Sequence, residues 1–156
     1  MLTDKIGNYI TLSIQKNYQT INENQENKIK ILNLVMTKKE TAIDFLKMLT
    51  SQQVDEAFEK HIHAGFIHHN MHFAGDRNSF HAAIKSGMQN VKTEFVVLRA
   101  LEDNNLVAIH AKVKFDNATN WIALVHFFKF EDGKIIEEWE VSNEVADNIP
   151  NENGAF

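Results

Sequence analysis

The chain has 156 residues, 44% hydrophobic and 24% charged, with a formal net charge of −5. This describes one globular domain able to bury a core of its own, and the acidic excess argues against a nucleic-acid surface. With no cysteine there is no disulfide framework, thiol nucleophile or Cys-type zinc site, and no apolar run reaches the roughly 18 residues of a membrane span. A cytoplasmic location is expected, since the N-terminus also lacks the apolar stretch and small-residue cleavage site of a secretory leader.

Residues 1–36 form an N-terminal extension set apart by composition. They are rich in Asn, Gln, Lys and Ile, and Asn22–Asn27 is wholly polar. Ile6, Ile10, Ile14 and Tyr18 recur every four residues, which suits a short amphipathic helix; a poorly ordered extension is the other reading. Met36 looks like a fresh start and a candidate initiator. After it, Thr37 and Glu40 occupy the two ends of a capping box.

From Thr37 the pattern is regular. Ala42, Phe45, Leu46 and Leu49 make a helical stripe, and Val54, Phe58 and Ile62 continue on a second helix. Phe66–Asn70 reads as a brief extended segment. Asp76 caps a third helix carrying Phe80, Ile84 and Met88, with Gly87 near its end. Four strands follow, at Lys92–Glu102, Leu106–Phe115, Thr119–Phe130 and Lys134–Ser142, rich in Val, Ile, Phe and Trp. The short polar links between them predict antiparallel hairpins. Helices followed by such a meander define an α+β domain over 37–150, with 151–156 as a C-terminal tail.

Strand alternation sorts the side chains. On Leu106–Phe115, Val107, Ile109, Ala111, Val113 and Phe115 form a dry face, while His110, Lys112 and Lys114 form a polar one. On Thr119–Phe130 both faces are apolar: Trp121, Ala123, Val125 and Phe127 oppose Ile122, Leu124, His126, Phe128 and Phe130. Helices can cover one of these faces. A second copy of the sheet best covers the other, so a homodimer is expected. A three-residue turn at Glu131–Gly133 would place His126 on the face of Glu138 and Glu140. A turn one residue shorter would place it beside Trp139 instead.

Six of the eight histidines fall between His61 and His81. His61-x-His63 and His68-His69-x-x-His72 have ligand-like spacings, but no carboxylate or cysteine completes a metal signature, and adjacent strand residues face opposite ways. No metal is expected.

Several phrases resemble a known family. Phe130–Glu140 (FEDGKIIEEWE) is similar to "FxxGKIxEHWD", Phe66–Asn70 to "YIQHNP", Val107–His110 to "VVVH" and Asn151–Phe156 to "NxNGMF". In that combination, over about residues 37–156, the chain resembles the SnoaL-like polyketide cyclases of the nuclear-transport-factor-2-like superfamily. The resemblance implies a cone-shaped, curved antiparallel sheet wrapped around N-terminal helices, with a pocket inside. It also implies ring closure by intramolecular aldol condensation, with an acid/base carboxylate and no metal or cofactor.

Carried onto this chain, the carboxylate after the tryptophan falls on Glu140, where the family usually has Asp. The family's usual histidine before the tryptophan is here Glu138, and a position that is often Asp is His126. His110, His69 and Asn70 match family positions directly.

Removing a proton next to a carbonyl needs a base, and the enolate oxygen needs a donor. Glu140 is the expected base, with His110 or His126 as donor. His69 and Asn70 are expected to orient a substrate carbonyl, with Trp139 and Phe128 as apolar surfaces beside it. The expected reaction is aldol cyclisation or isomerisation of a small, largely apolar carbonyl compound. The alternative is a dimer of the same fold that binds a small ligand without chemistry.

Overall fold

The structure, a computed structural model, describes residues 14–28 and 36–156. The chain divides into two compact units, Met1–Met36 and Thr37–Phe156. In the first, residues 14–28 are helical (α1) and include Ile14 and Tyr18; Ile6 and Ile10 of the anticipated stripe lie outside the described residues.

In the second unit, three helices and five strands follow in the order α2 (Lys38–Thr50), α3 (Val54–His61), β1 (Ile62–His68), α4 (Arg77–Met88), β2 (Thr93–Asp103), β3 (Leu106–Phe115), β4 (Ile122–Glu131) and β5 (Lys134–Glu144). The capping box forms at the start of α2: the Thr37 side chain accepts from the Glu40 N–H, and the Glu40 carboxylate accepts from the Thr37 N–H at 2.8 Å. Asp76 caps α4 by accepting from the N–H groups of Asn78 and Ser79. Ile62 begins β1 rather than ending α3, because the backbone turns extended directly after His61.

The sheet order is β1-β5-β4-β3-β2. The three hairpin pairings are antiparallel, but β1 runs parallel to β5, so the sheet is mixed and not wholly antiparallel as anticipated. The reason is the crossover. A parallel neighbour needs a long connection, and α4 with β2, β3 and β4 supplies it before the chain returns as β5.

One face of the sheet packs on the helices. Val107, Ile109, Ala111 and Val113 of β3 all turn to it and are buried. Phe45 of α2 is the hub, edge-on to Phe58 at 5.9 Å and to Phe128 at 6.1 Å between ring centroids. Such aromatic contacts add about 0.5–1.5 kcal/mol each beyond area burial.

The opposite face is different. Leu101, Ala108, Phe127 and Trp139 stand opposite one another across four adjacent strands, and Leu101, Phe127 and Val141 are exposed. Among the described residues no helix is long and apolar enough to cross a membrane.

The β4–β5 hairpin decides which side chains reach the interior. Its turn is two residues long, Asp132-Gly133, both with positive φ (49° and 78°), and Glu131 pairs with Lys134. This is the primed turn that suits the strand twist, and Gly133 takes its φ without strain. On parity alone so short a turn would set His126 against Trp139. The ladder instead slips between Phe130↔Ile135 and Lys129↔Glu137, leaving Ile136 as an extra residue. That β-bulge restores the parity, so His126 faces Glu140, and Glu138 also turns inward.

Replacing Thr37 with Ala should remove one half of the capping box and cost about 1 kcal/mol. The expected result is a lower urea midpoint with an unchanged denaturant slope.

Candidate active site

Glu138 is the centre of the polar interior. It is 1% exposed, between β1 on one side and β4 on the other. His68 is its register partner on β1, and His126 projects from β4 toward it. Glu138 Oε1 lies 2.9 Å from His126 Nδ1, and Oε2 lies 3.9 Å from His68 Nε2. His126 is itself stacked on Phe128, 5.5 Å away and 6° from parallel, which holds the imidazole flat. His68 stacks on Phe80 at 3.9 Å. With Glu138 ionised, His126 donates through Nδ1, and its Nε2 is left without a partner in the protein.

Beside this group lies a cavity of about 260 Å³. Its walls include Leu46, Leu49, Phe80, Ile84, Phe95 and Leu124, and its polar lining is Thr50, Asn70, His72, His126, Glu138, Glu140 and Ser142. The volume lies just below the roughly 300–1,000 Å³ of drug-sized sites, so the guest it suits is small. Glu140 is half-buried at this wall and is the cross-strand partner of His126. A depression of about 500 Å³ at α3 and α4 is larger. Its titratable groups are already paired, Asp55 with His81 at 2.9 Å and with Lys85 at 2.6 Å, so the smaller cavity holds the available chemistry.

Burial pushes His68 below the ordinary histidine value of 6.5, opposed by the nearby Glu138 and Glu140 carboxylates. His61, buried under α2, is lowered by burial as well, although the Asp44 carboxylate 2.8 Å away pulls the other way. For Asp44, burial acts upward, but the hydrogen bonds from Lys60 and His61 outweigh it and its pKa is lowered.

Of the anticipated site residues, Glu140, His126 and Asn70 line the cavity. His110 does not reach it. On β3 it alternates with the buried Ile109 and Ala111, so it turns to the opposite face, where its Nδ1 lies 2.8 Å from an Arg99 guanidinium nitrogen.

His69 and Trp139 are also on that face, stacked on one another at 5.0 Å and 2°. His69 bonds to Glu137 at 2.9 Å, and this bond, reinforced by Lys129, holds the Glu137 carboxyl below its ordinary value. Phe128 is fully buried core and props His126 from behind. None of His110, His69, Trp139 and Phe128 lines the cavity: the first three turn to the outer face, and Phe128 shares the inner face of His126 but is packed into the core.

Glu138 and His68 were not among the anticipated site residues. The signal for Glu138 was the alternation that puts it on the face of Glu140, two residues on. For His68, nothing in the local pattern distinguished it from His69.

The chain has the nuclear-transport-factor-2-like (NTF2-like) fold. It resembles an NTF2-like protein of unknown function from Cytophaga hutchinsonii at 16% identity, covering 69% of this chain and 91% of that one, TM-score 0.57. A snoal-like polyketide cyclase from Agrobacterium tumefaciens is similar at 16% identity over 70% of this chain and 93% of that one, TM-score 0.59. So is a LEH-like epoxide hydrolase from M. tuberculosis, at 14% identity over 68% and 82%, TM-score 0.56. No protein-family model matches the chain, and no curated protein matches it. At these identities the likeness is one of fold, and the chemistry rests on the site itself.

A histidine buried neutral binds no proton in the folded state where the unfolded chain does. Stability is then fully present above the unfolded value of 6.5 and falls as pH drops below it. The melting temperature should thus be level above neutrality and decline as pH falls below 6.5. Asp44 does not enter this window, because its depressed pKa matters only below the ordinary 3.8. The decline should be shallower in His68→Phe.

Proposed function

We propose that the protein is an acid/base enzyme acting on a small carbonyl compound in the 260 Å³ cavity. The observation that carries this reading is a buried His126–Glu138 pair, with His126 Nε2 left unpaired, whose two residues line a largely apolar cavity together with a second carboxylate, Glu140. In this reading Glu140 takes a proton from the carbon next to the carbonyl. His126, as an imidazolium stabilised by the Glu138 anion, gives a proton to the carbonyl oxygen. One proton is accepted and one donated, so the product is an enol. Return of a proton at another carbon would be isomerisation; attack on a second carbonyl would be aldol cyclisation. The apolar walls support the scheme by strengthening each charge interaction at the polar end. No group beyond the chain's own residues is needed for these steps.

The test is α-proton exchange. Small cyclic ketones incubated with the protein in D2O should lose their α-proton NMR signal faster than in buffer, and Glu140→Gln should slow this by about 100-fold or more. Saturation-transfer binding of the ketone without any accelerated exchange would instead make the pocket a non-catalytic binder.

We further propose a homodimer through the outer sheet face. The row Leu101–Ala108–Phe127–Trp139 is apolar across four strands, and a two-fold contact would lay it against its own copy. Light scattering should give twice the chain mass at micromolar concentration, and Phe127→Glu should return it to monomer.

A further inference from the structure

At the cavity wall, beside Glu140, two buried side chains meet with unmet hydrogen-bonding capacity. His68 Nε2 and Glu138 Oε2 are both buried and have no partner in the protein, and one ring nitrogen of His68 and one carboxylate oxygen each of Glu138 and Glu140 lie within 4.8 Å of one another. Native interiors leave few buried polar atoms unpaired, so a cluster of them calls for an occupant. The spacing suits hydrogen bonding. The 3.9 Å between His68 Nε2 and Glu138 Oε2 is too long for a direct bond, yet one oxygen can sit at bonding distance from both.

The proton positions say what that occupant is. The Asn70 backbone N–H donates to His68 Nδ1 at 3.2 Å, so in the neutral ring the proton is on Nε2. Nε2 is then a donor. A metal ion would need its lone pair, and so would conflict with the Asn70 bond. The same polarity disfavours an ammonium group, which cannot accept. The two carboxylates face the point as acceptors. The matching group accepts one hydrogen bond and donates at least one, which is an O–H oxygen.

We propose that His68, Glu138 and Glu140 form a subsite for a hydroxyl oxygen, supplied either by a bound water or by an alcohol group of the substrate. An alcohol would accept from His68 and donate to one carboxylate; a water would donate to both. The subsite stands on its own geometry, but the step from occupant to substrate rests on the acid/base reading above and narrows it to hydroxy-carbonyl compounds. His68 acts here as a binding residue. Its stacking on Phe80 fixes the ring, and the Asn70 bond fixes the direction of its donor.

Two measurements test this without using turnover. The first is a high-resolution crystal structure of the protein, alone and with 3-hydroxycyclohexanone. An oxygen within hydrogen-bond distance of His68 Nε2 and Glu138 Oε2 is expected. If it is a water that stays when the ketone binds, the source is water; if the ketone hydroxyl replaces it, the source is substrate. An empty point, a metal there, or a direct Nε2–Oε2 hydrogen bond would overturn the proposal.

The second is calorimetric binding of 3-hydroxycyclohexanone against 3-methylcyclohexanone, which differ only by hydroxyl for methyl. In the substrate case the hydroxyl compound should bind at least about tenfold more tightly, and His68→Phe, which keeps the stacking, should erase the difference. In the water case the two bind alike, and the water is absent from His68→Phe crystals. A hydroxyl preference or a retained water in His68→Phe would remove His68 from the subsite and sink the proposal. Failure of ketone exchange with the oxygen in place would reject the acid/base reading and leave the subsite standing.

Discussion

One extra residue in β5 governs the interior. The Asp132-Gly133 turn is the shortest that a twisted hairpin takes readily, and its parity would send Glu138 and Glu140 outward and Trp139 inward. The bulge at Ile136 reverses that assignment. Every polar contact of the cavity floor follows from this reversal: the 2.9 Å bond between His126 and Glu138, the approach of His68, and the position of Glu140 at the wall.

A carboxylate as buried as Glu138 needs compensation, because an isolated charge in a dry interior is far costlier than one in water. It receives one bond from β4 and lies near a second histidine from β1. The mixed sheet makes this possible. Had β1 not returned beside β5 in parallel register, His68 would have no route to Glu138. The aromatic residues complete the arrangement. Phe128 stacks on His126 and Phe80 on His68, so packing of the core and orientation of the polar groups are the same contacts.

The two faces of the sheet divide the labour. The inner face carries the cavity and its titratable groups. The outer face carries His69, His110 and Trp139, which pair with one another or with Arg99 and Glu137 and leave an apolar row between them. Similarity to solved structures shows the fold alone, and the chemistry is read from His68, His126, Glu138 and Glu140 in this chain.

The sequence by itself determined the elements. The capping box at Thr37, the Phe45 stripe, the Asp76 cap and the alternation on β3 are local signals, set by hydrogen bonds and periodicities a few residues long, and all are seen in the structure. It also named Glu140, His110, His126, His69, Asn70, Trp139 and Phe128 for the pocket, and of these Glu140, His126 and Asn70 line the cavity. Only the tertiary structure decided that His110 faces away, that Glu138 is the buried partner of His126, and that His68 rather than His69 is inside. Facing in a strand depends on register, register depends on turn length and bulges, and a slip of one residue inverts every assignment along the strand. The β1–β5 pairing is beyond local reach for another reason: it joins segments some 70 residues apart, and no short-range pattern encodes a contact of that separation.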